Sequence, residues 1–311
     1  MLSLNQLQIF HTAAGCDTLT AAAEKLYLTQ PAVSQQIRNL ETYLGTKLFE
    51  RSRRGIELTP AGRELFTYTA QILRLVAQAE ASLTNINNIV DVQAVVGATP
   101  NVGSYLLPQW VQTFRMQHPN ITLIIQTDTT SGVIGAVQSG DQLLGFIEGE
   151  PDDQQLNGID YIVLEPLPHC IVIGKAHTWW GRASILIREL DGQPFIMRQK
   201  KSRSHEWLEE IFLRYGVQPR IVGEFDNPES LKQTVRNSSS VTILPEQAIE
   251  QDVAAGTLAA LTVDDADLTR SLRLIWQKDT VFSAVTRAML GYLANTYPGI
   301  GSLLDPPPAT E

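Results

Sequence analysis

Along the first sixty residues, apolar positions recur at helical rather than strand spacing. Leu4, Leu7, Phe10, Ala13 and Ala14 mark a first helix. Thr18, a capping residue type, precedes a second helix with Ala22, Ala23 and Leu26 turned inward. Tyr27-Leu28 leaves room only for a sharp corner before Thr29, expected to cap a third helix. Pro31 is tolerated in that first turn because its missing N–H would have no intrahelical partner. Val33, Ile37 and Leu40 fall at i, i+4 and i+7 and give the third helix a buried face; Gln30, Ser34, Gln35 and Arg38 occupy the opposite one. Residues 49–58 then read as a hairpin with Arg54-Gly55 at its tip and Ile56 and Leu58 inward.

Thr59-Pro60 is a cap followed by proline at the first helical position, and the helical pattern continues to about residue 88. In it Leu65, Thr69, Ile72, Val76, Ala79, Leu83, Ile86 and Val90 are spaced alternately by four and three, as in a coiled-coil seam. Such a stripe must be buried, either on the chain's own C-terminal part or on the same helix of a second chain. From Val92 onward short apolar runs alternate with helical stretches. Residues 92–98, 121–126, 143–148, 169–174, 194–197, 221–225 and 241–244 read as strands, and 106–118, 132–139, 204–215, 228–236 and 245–255 as helices. Such alternation implies α/β layers with largely parallel sheets.

The chain has 311 residues, 43% hydrophobic and 18% charged, which suits two or more globular domains and excludes disordered and fibrous classes. The net charge of −9 suits a polyanion poorly, but it is unevenly spread. Residues 1–62 carry six cations and five anions, whereas the rest carry 18 cations and 28 anions. Cys16 and Cys170 have no partner spacing, so no disulfide is expected. Ala13-Ala14-Gly15-Cys16 faintly resembles a lipoprotein cleavage site, but no basic start or apolar run precedes it. No stretch approaches the roughly eighteen consecutive apolar residues of a membrane span. A cytoplasmic protein without a membrane partner is therefore expected.

Two short helices joined by a tight turn, the second offering amides, a hydroxyl and a guanidinium, meet the needs of a helix-turn-helix. Glutamine can bond bidentately to adenine and arginine to guanine from a helix whose N-terminal end enters the major groove. Three arginines in the hairpin, Arg51, Arg53 and Arg54, suit phosphates beside that groove. The alternative is a solvated polar face and a solvated charge run, with Arg51 pairing Glu41. The five histidines are scattered without metal-ligand spacing, and no GxSxG, P-loop or dinucleotide-binding glycine pattern occurs. An enzyme, a metal and a cofactor are all unsupported.

Residues 10–62 carry a family resemblance. Leu19-Thr20-Ala21-Ala22-Ala23-Glu24-Lys25-Leu26, Thr29-Gln30-Pro31-Ala32-Val33-Ser34-Gln35-Gln36-Ile37, Leu40-Glu41, Leu44-Gly45, Leu48-Phe49-Glu50-Arg51 and Leu58-Thr59-Pro60-Ala61-Gly62 resemble, in order and spacing, the DNA-binding domain of LysR-type transcriptional regulators. Asp17-Thr18-Leu19 stands where the family usually has Gly-Ser-Phe, keeping a capping hydroxyl and an apolar anchor.

The resemblance implies a winged helix-turn-helix in residues 1–59 and a linker and dimerisation helix in 60–89. It further implies a two-lobed α/β effector domain, similar to periplasmic binding proteins, in 92–300, and leaves 301–311 as a disordered tail. By carry-over at matching positions Gln30, Pro31, Ser34, Gln35 and Arg38 would face base edges of double-stranded DNA, and Arg53 and Arg54 backbone phosphates. Leu65, Ile72, Val76, Leu83 and Ile86 would pair two chains antiparallel, with pairs of dimers forming a tetramer. A small-molecule effector would lie between the lobes, against Thr99 and Asn101 in a polar loop before a helix, Thr130 at the next helix and Ser202 in the second lobe. Helix capping is the competing role for each.

Arg198, Lys200, Lys201 and Arg203 make that neighbourhood cationic in an acidic domain and point to an anionic metabolite. A solvated basic loop is the alternative. Lys201 and Arg203 depart from the glycines common beside the matching serine, and Leu143 replaces the family's usual aspartate before the third strand. Two further readings remain open. A solute-binding module would leave residues 1–62 unexplained, and an architectural DNA-binding protein would leave the effector domain without a role.

Overall fold

Short polar caps and one left-handed glycine delimit the first helices in the computed structural model, which describes residues 2–52, 55–84, 92–152 and 154–304. The chain forms two compact units, Met1–Asn88 and Ile89–Glu311. In the first, Ser3 Oγ accepts from the Gln6 amide at 3.2 Å to start α1 (Leu4–Ala14). Thr18 Oγ1 accepts from the Ala21 amide at 3.1 Å to start α2 (Leu19–Lys25). The corner before α3 (Gln30–Leu44) is made by Tyr27 at φ 54°. Thr29 occupies the N-cap position of α3 but makes no capping hydrogen bond, contrary to the sequence expectation. Gly45, at φ 69°, ends the helix in the left-handed conformation that glycine adopts without steric cost.

Val33 and Ile37 bury against Ala13, Ala22 and Ala23, while Phe10, Leu40 and Leu48 form an adjoining core cluster. The hairpin β1 (Phe49–Ser52) and β2 (Gly55–Leu58) pairs Phe49 with Leu58. Its tip residues Arg53 and Arg54 lie outside the described residues. Helix α4 (Pro60–Thr84) starts with Thr59 Oγ1 accepting from the Gly62 amide at 3.0 Å. Gly62 is required there, because a Cβ would stand 2.1 Å from the Leu48 carbonyl oxygen.

The first half of α4 packs on its own domain. Leu65 and Phe66 lie against the Phe10–Leu40–Leu48 cluster. Thr69, the polar member of the expected seam, is fully buried, with Oγ1 3.0 Å from His11 Nδ1, and the His11 ring stacks on Phe66. At this end of the stripe Leu65, half-buried, and Thr69 thus pack within their own domain. Among the described side chains of α4, Tyr68 (55% exposed) and Leu75 (53%) are exposed apolar positions, with Ile72 and Val76 half-buried beside them. The Leu83 side chain and Ile86 lie outside what is described.

The second unit has two lobes. The first contains β3 (Val92–Ala98), α5 (Leu107–Gln117), β4 (Ile121–Thr127), α6 (Thr130–Ser139) and β5 (Leu144–Glu148). The long β6 (Ile159–Gly174) leads to the second lobe, with β7 (Ser184–Ile185), β8 (Pro194–Arg198), α7 (Arg203–Tyr215), β9 (Arg220–Phe225), α8 (Pro228–Arg236), β10 (Val241–Pro245), α9 (Glu250–Ala254) and β11 (Leu258–Val263). The chain then returns through β12 (Thr269–Gln277) and α10 (Ala284–Ala294). Strand order is β4-β3-β5-β12-β6-β10-β8-β9, with β11 paired to β6 and β7.

The sheet is mixed rather than largely parallel. Strands β3, β4 and β5 run parallel, as do β8, β9 and β10, but β6 and β12 run antiparallel to their neighbours. Residues 159–168 of β6 pair with β12 in one lobe and 169–173 pair with β10 in the other, so β6 belongs to both. The two crossing segments are tied by the His169 amide donating to the Leu268 carbonyl at 3.0 Å. Each lobe has helices on both sheet faces. Helices α5 and α10 cover one face of the first lobe and α6 the other; α7 and α8 divide the second in the same way. Order continues past residue 300, since the last 3₁₀ turn is Pro298–Leu303 and Leu303 and Leu304 pack on the core; residues 305–311 lie outside the described residues.

Burial lowers the His11 pKa from its ordinary 6.5, so in mildly acid solution the unfolded chain takes up a proton that the folded domain resists. Stability from this group is fully present above the unfolded value and is lost as pH falls through it toward the folded one. Amide protection factors in α1 and α4, taken relative to the intrinsic exchange rate at each pH, should therefore fall between about pH 7 and 5.5 in the parent. His11→Gln, which keeps a polar partner for Thr69 but does not titrate, should flatten that dependence. An equal fall in both proteins would show that His11 does not carry it.

Candidate functional site

Buried Val33, Ile37 and Leu40 turn the opposite side of α3 outward. Gln30, Pro31, Gln35 and Arg38 are exposed and Ser34 is half-buried beside them. The polar side chains are linked along the helix: Gln30 Nε2 donates to Ser34 Oγ at 3.1 Å, Arg38 Nη2 to Gln35 Oε1 at 3.0 Å, and Gln35 Nε2 to Asn39 Oδ1 at 2.8 Å. These solvent-exposed bonds hold donors and acceptors in a row and are cheap to exchange for base edges.

The far end of α3 is fixed by Glu41, which accepts from Lys47 Nζ at 2.7 Å and from the Leu48 amide at 2.9 Å. Burial pushes the Glu41 carboxyl up, but the bonds from Lys47, Leu48 and Phe49 outweigh it and hold the group below its ordinary range. The expected Arg51 pairing rests on a side chain outside those described. Two further groups flank the helix start. Tyr27 is 95% exposed, and the Thr29 hydroxyl is free of any capping bond. An aromatic residue in a two-residue corner could have been read from sequence; whether a threonine at a helix start caps it could not.

In the second unit all four expected cleft residues are buried: Thr99, Asn101, Thr130 and Ser202. The stretch after β3 is helical rather than a loop, with Asn101 at φ −63° and ψ −47° and a π-helical turn at Val102–Leu106. Asn101 Nδ2 donates to Glu148 Oε2 at 2.8 Å, which leaves its Oδ1 buried without a partner, as is Thr99 Oγ1. Thr129, not Thr130, caps α6, accepting from the Gly132 amide at 3.2 Å. Ser202 caps α7, accepting from the His205 amide at 3.2 Å.

Glu148 at the end of β5 is the centre of this region. It accepts from Arg270 and Asn101, and His169 Nε2 lies 3.1 Å away. Burial pushes its carboxyl up, but Arg270, His169 and Asn101 outweigh that and hold it far below the usual carboxylate range. Gly149, at φ 85°, is needed beside it, since a Cβ would strike the Arg270 guanidinium. Arg270 Nη1 also donates to Ser204 Oγ at 2.9 Å, joining Glu148 to α7.

The structure thus connects Asn101, through Glu148 and Arg270, with Ser204 at the start of α7, which Ser202 caps; neither the Thr99 hydroxyl nor Thr130 is bonded to this network. Of the four clustered cations, Lys200 and Lys201 are exposed, and Arg203 is taken by Glu206, Asp152 and the Glu150 carbonyl. Only Arg198 is buried, and burial lowers its pKa against the opposing influence of Glu148, Asp226 and Tyr105. Trp179 is core, and Trp180 lies partly exposed beneath Lys175. Among the described residues no three His, Cys, Asp or Glu side chains are placed to hold a metal, and no helix is long and apolar enough to cross a membrane.

Comparison with known proteins agrees with this division. Residues 4–63 match the family model of the bacterial regulatory helix-turn-helix protein, lysR family, and residues 93–298 match that of the LysR substrate binding domain. A probable RuBisCO transcriptional regulator of Emiliania huxleyi is 28% identical, covering 88% of each chain. The HTH-type transcriptional activator CmpR of Synechocystis is 27% identical, covering 94% of each. Among solved structures, a full-length single-residue variant of OxyR from Pseudomonas aeruginosa superposes with a TM-score of 0.71 at 20% identity, over 95% of this chain and 94% of that one. Full-length CbnR complexed with its target DNA gives 0.65 at 18%, over 95% and 100%. Joined in one chain in this order, the helix-turn-helix unit and the two-lobed unit make this protein a member of the LysR family of transcriptional regulators.

Proposed function

We propose that the chain is a cytoplasmic, non-enzymatic regulator that reads operator DNA through the exposed row on α3 and changes its DNA binding when a small anionic metabolite enters the cleft between its lobes. The observation that supports DNA reading most directly is the linked, outward-facing row Gln30, Ser34, Gln35 and Arg38, with Pro31 at the helix start. In this reading the N-terminal end of α3 enters the major groove, Arg53 and Arg54 of the wing meet phosphates, and Thr29 and Tyr27 add backbone contacts.

The unpaired apolar positions on α4, with Ile72 and Val76 at their centre, support an antiparallel pairing of two linker helices. Such a dimer would present two readers to two half-sites, and two dimers would form a tetramer. Residues 1–59, 60–89 and 92–300 would then act as reader, linker and sensor. Ligand binding alters DNA binding only if the ligand prefers one arrangement of the lobes, and the contacts between lobes at Arg270–Ser204 and Arg203–Glu150 are where such a preference would act.

Gln35→Ala should remove discrimination at one base position, roughly 1–3 kcal/mol, whereas Arg54→Ala should weaken all sequences alike. Gel-shift titration over single-base operator variants separates the two, and an unchanged specificity profile for Gln35→Ala would contradict base reading by α3. Val76→Asp should place a charge in the dimer seam and raise the dimer dissociation constant by roughly tenfold or more, or about 1.4 kcal/mol. Sedimentation and operator binding identical to the parent would mean that the seam does not join chains. In calorimetry against a panel of carboxylates, phosphates and inorganic anions, Thr99→Ala should weaken binding by roughly tenfold, the scale of one hydrogen bond to a charged group. A ligand whose affinity is untouched by both Thr99→Ala and Ser202→Ala binds elsewhere.

A further inference from the structure

Arg198 closes β8. Phe195 and Met197 of that strand point to the α7 side, while Ile196 packs on the other face with Leu231 and Val235 of α8 and Tyr105 of the first lobe. By strand alternation Arg198 shares the Ile196 face, where the lobes meet. The residue is 5% exposed, and its Nη1 is buried without a hydrogen-bond partner. The other buried cations in this unit each have an anion: Lys232 has Asp252 at 2.9 Å, Arg270 has Glu148, and Arg273 has Glu150 at 2.7 Å. Arg198 alone forms no ion pair among the described residues of that buried set. A buried charge left unpaired is costly, so a fold that keeps one is expected to answer it with something from outside.

The same place lacks other partners too. Arg198 is held through its own backbone, whose carbonyl lies 2.6 Å from His205 Nδ1, and the His205 amide is capped by Ser202. One residue away, Ser204 accepts from Arg270, which binds Glu148, which in turn binds Asn101. That run of contacts ends at Asn101, whose Oδ1 is buried and unpartnered, and two residues earlier in the chain Thr99 Oγ1 is buried and unpartnered as well. Asn101 Oδ1, an amide oxygen, can only accept, and the Nδ2 bond to Glu148 fixes which end of the amide it is; the Thr99 hydroxyl can donate or accept. Glu148 is the anion of this cluster, and Arg270 already satisfies it. A ligand ammonium group would therefore find no free counter-charge beside Asn101.

We infer that Arg198 reads the charge of the cleft ligand, and that this ligand is a small hydroxylated anion whose negative group pairs with Arg198 while a hydroxyl donates to Asn101 Oδ1. A short hydroxy-carboxylate or a hydroxylated phosphate ester has this chemistry. The inference rests on the cleft being the ligand site and adds what the site selects. It also accounts for a retained destabilising group, since removing an unpaired buried charge favours the empty fold while the ligand is what makes the charge useful.

The test uses the full chain with glycerate and glycerol phosphate as probes, propionate as the carboxylate without a hydroxyl, and glyceramide as the neutral relative. Melting temperature and calorimetry are the readouts. Glycerate or glycerol phosphate should stabilise the parent, propionate should bind at least roughly tenfold more weakly, and glyceramide should not bind, since each lacks one charge-assisted or hydrogen-bonding contact. Arg198→Met should abolish the anion response and raise the ligand-free melting temperature by about 2–4 °C. The inference is overturned if neither anion shifts the parent, if glyceramide binds as well as glycerate, or if Arg198→Met lowers the ligand-free melting temperature. Anion binding that survives Arg198→Met but is lost in Thr99→Ala leaves the cleft standing as the ligand site and removes Arg198 from it. Anion binding that survives both places the ligand outside the cleft altogether.

Discussion

The two-lobed unit depends on a carboxylate kept ionised away from water. Glu148 sits at the end of β5 in the first lobe, and its charge is tolerable only because Arg270 and His169, both where the chain crosses between lobes, and Asn101 supply what solvent would have supplied. Breaking a buried pair of this kind strands the remaining charge, which costs on the order of 3–5 kcal/mol, so the cluster binds its members together rather than adding a little to each. Arg270 extends the constraint to α7 through Ser204. The relation between lobes is thus set by charge satisfaction at one point as much as by apolar packing.

A consequence is that the cleft is polar where it is best fixed. Thr99 and Asn101 are carried on the backbone just after β3, whose Val96, Gly97 and Ala98 register with β5, and Ser202 and Arg198 bracket the start of α7. Groups on strand ends and helix starts are placed by the sheet itself, so their unsatisfied atoms are aimed rather than wandering. The same logic holds in the smaller unit. The outward row of α3 is as well placed as the Val33–Ile37–Leu40 face that turns it out and the Glu41–Lys47 pair that pins its end.

Helix α4 shows that a stripe read from periodicity need not have one environment along its length. Periodicity places Leu65, Thr69, Ile72 and Val76 on one face, and that much is correct geometry. Near the domain, however, Leu65 joins the core and Thr69 meets His11, while beside the stripe Tyr68, next to Thr69, and Leu75, further along, stand exposed. A period of four and three identifies a buried face without saying what buries it, since the apolar demand is the same for either surface.

What the sequence by itself determined was everything that rests on local pattern. The helix-turn-helix followed from spacing, capping residue types and one two-residue corner, and the strands of β3, β4, β8 and β10 followed from short apolar runs between turn residues. Local pattern failed where neighbours in space, not in sequence, make a residue's environment. The first half of β6 runs Tyr161-Ile162-Val163-Leu164 without apolar–polar alternation and contains Pro166 and Pro168, so it does not read as a strand until β12 is beside it. Thr29 and Thr129 have the same chemistry at helix starts, yet only Thr129 caps. Above all, four nearby cations look alike in a line of text, and only the folded chain separates exposed Lys200 and Lys201 and paired Arg203 from buried Arg198. Charge is written in the sequence, but its desolvation and its partners are properties of the tertiary structure, because they depend on which distant segments exclude water from it.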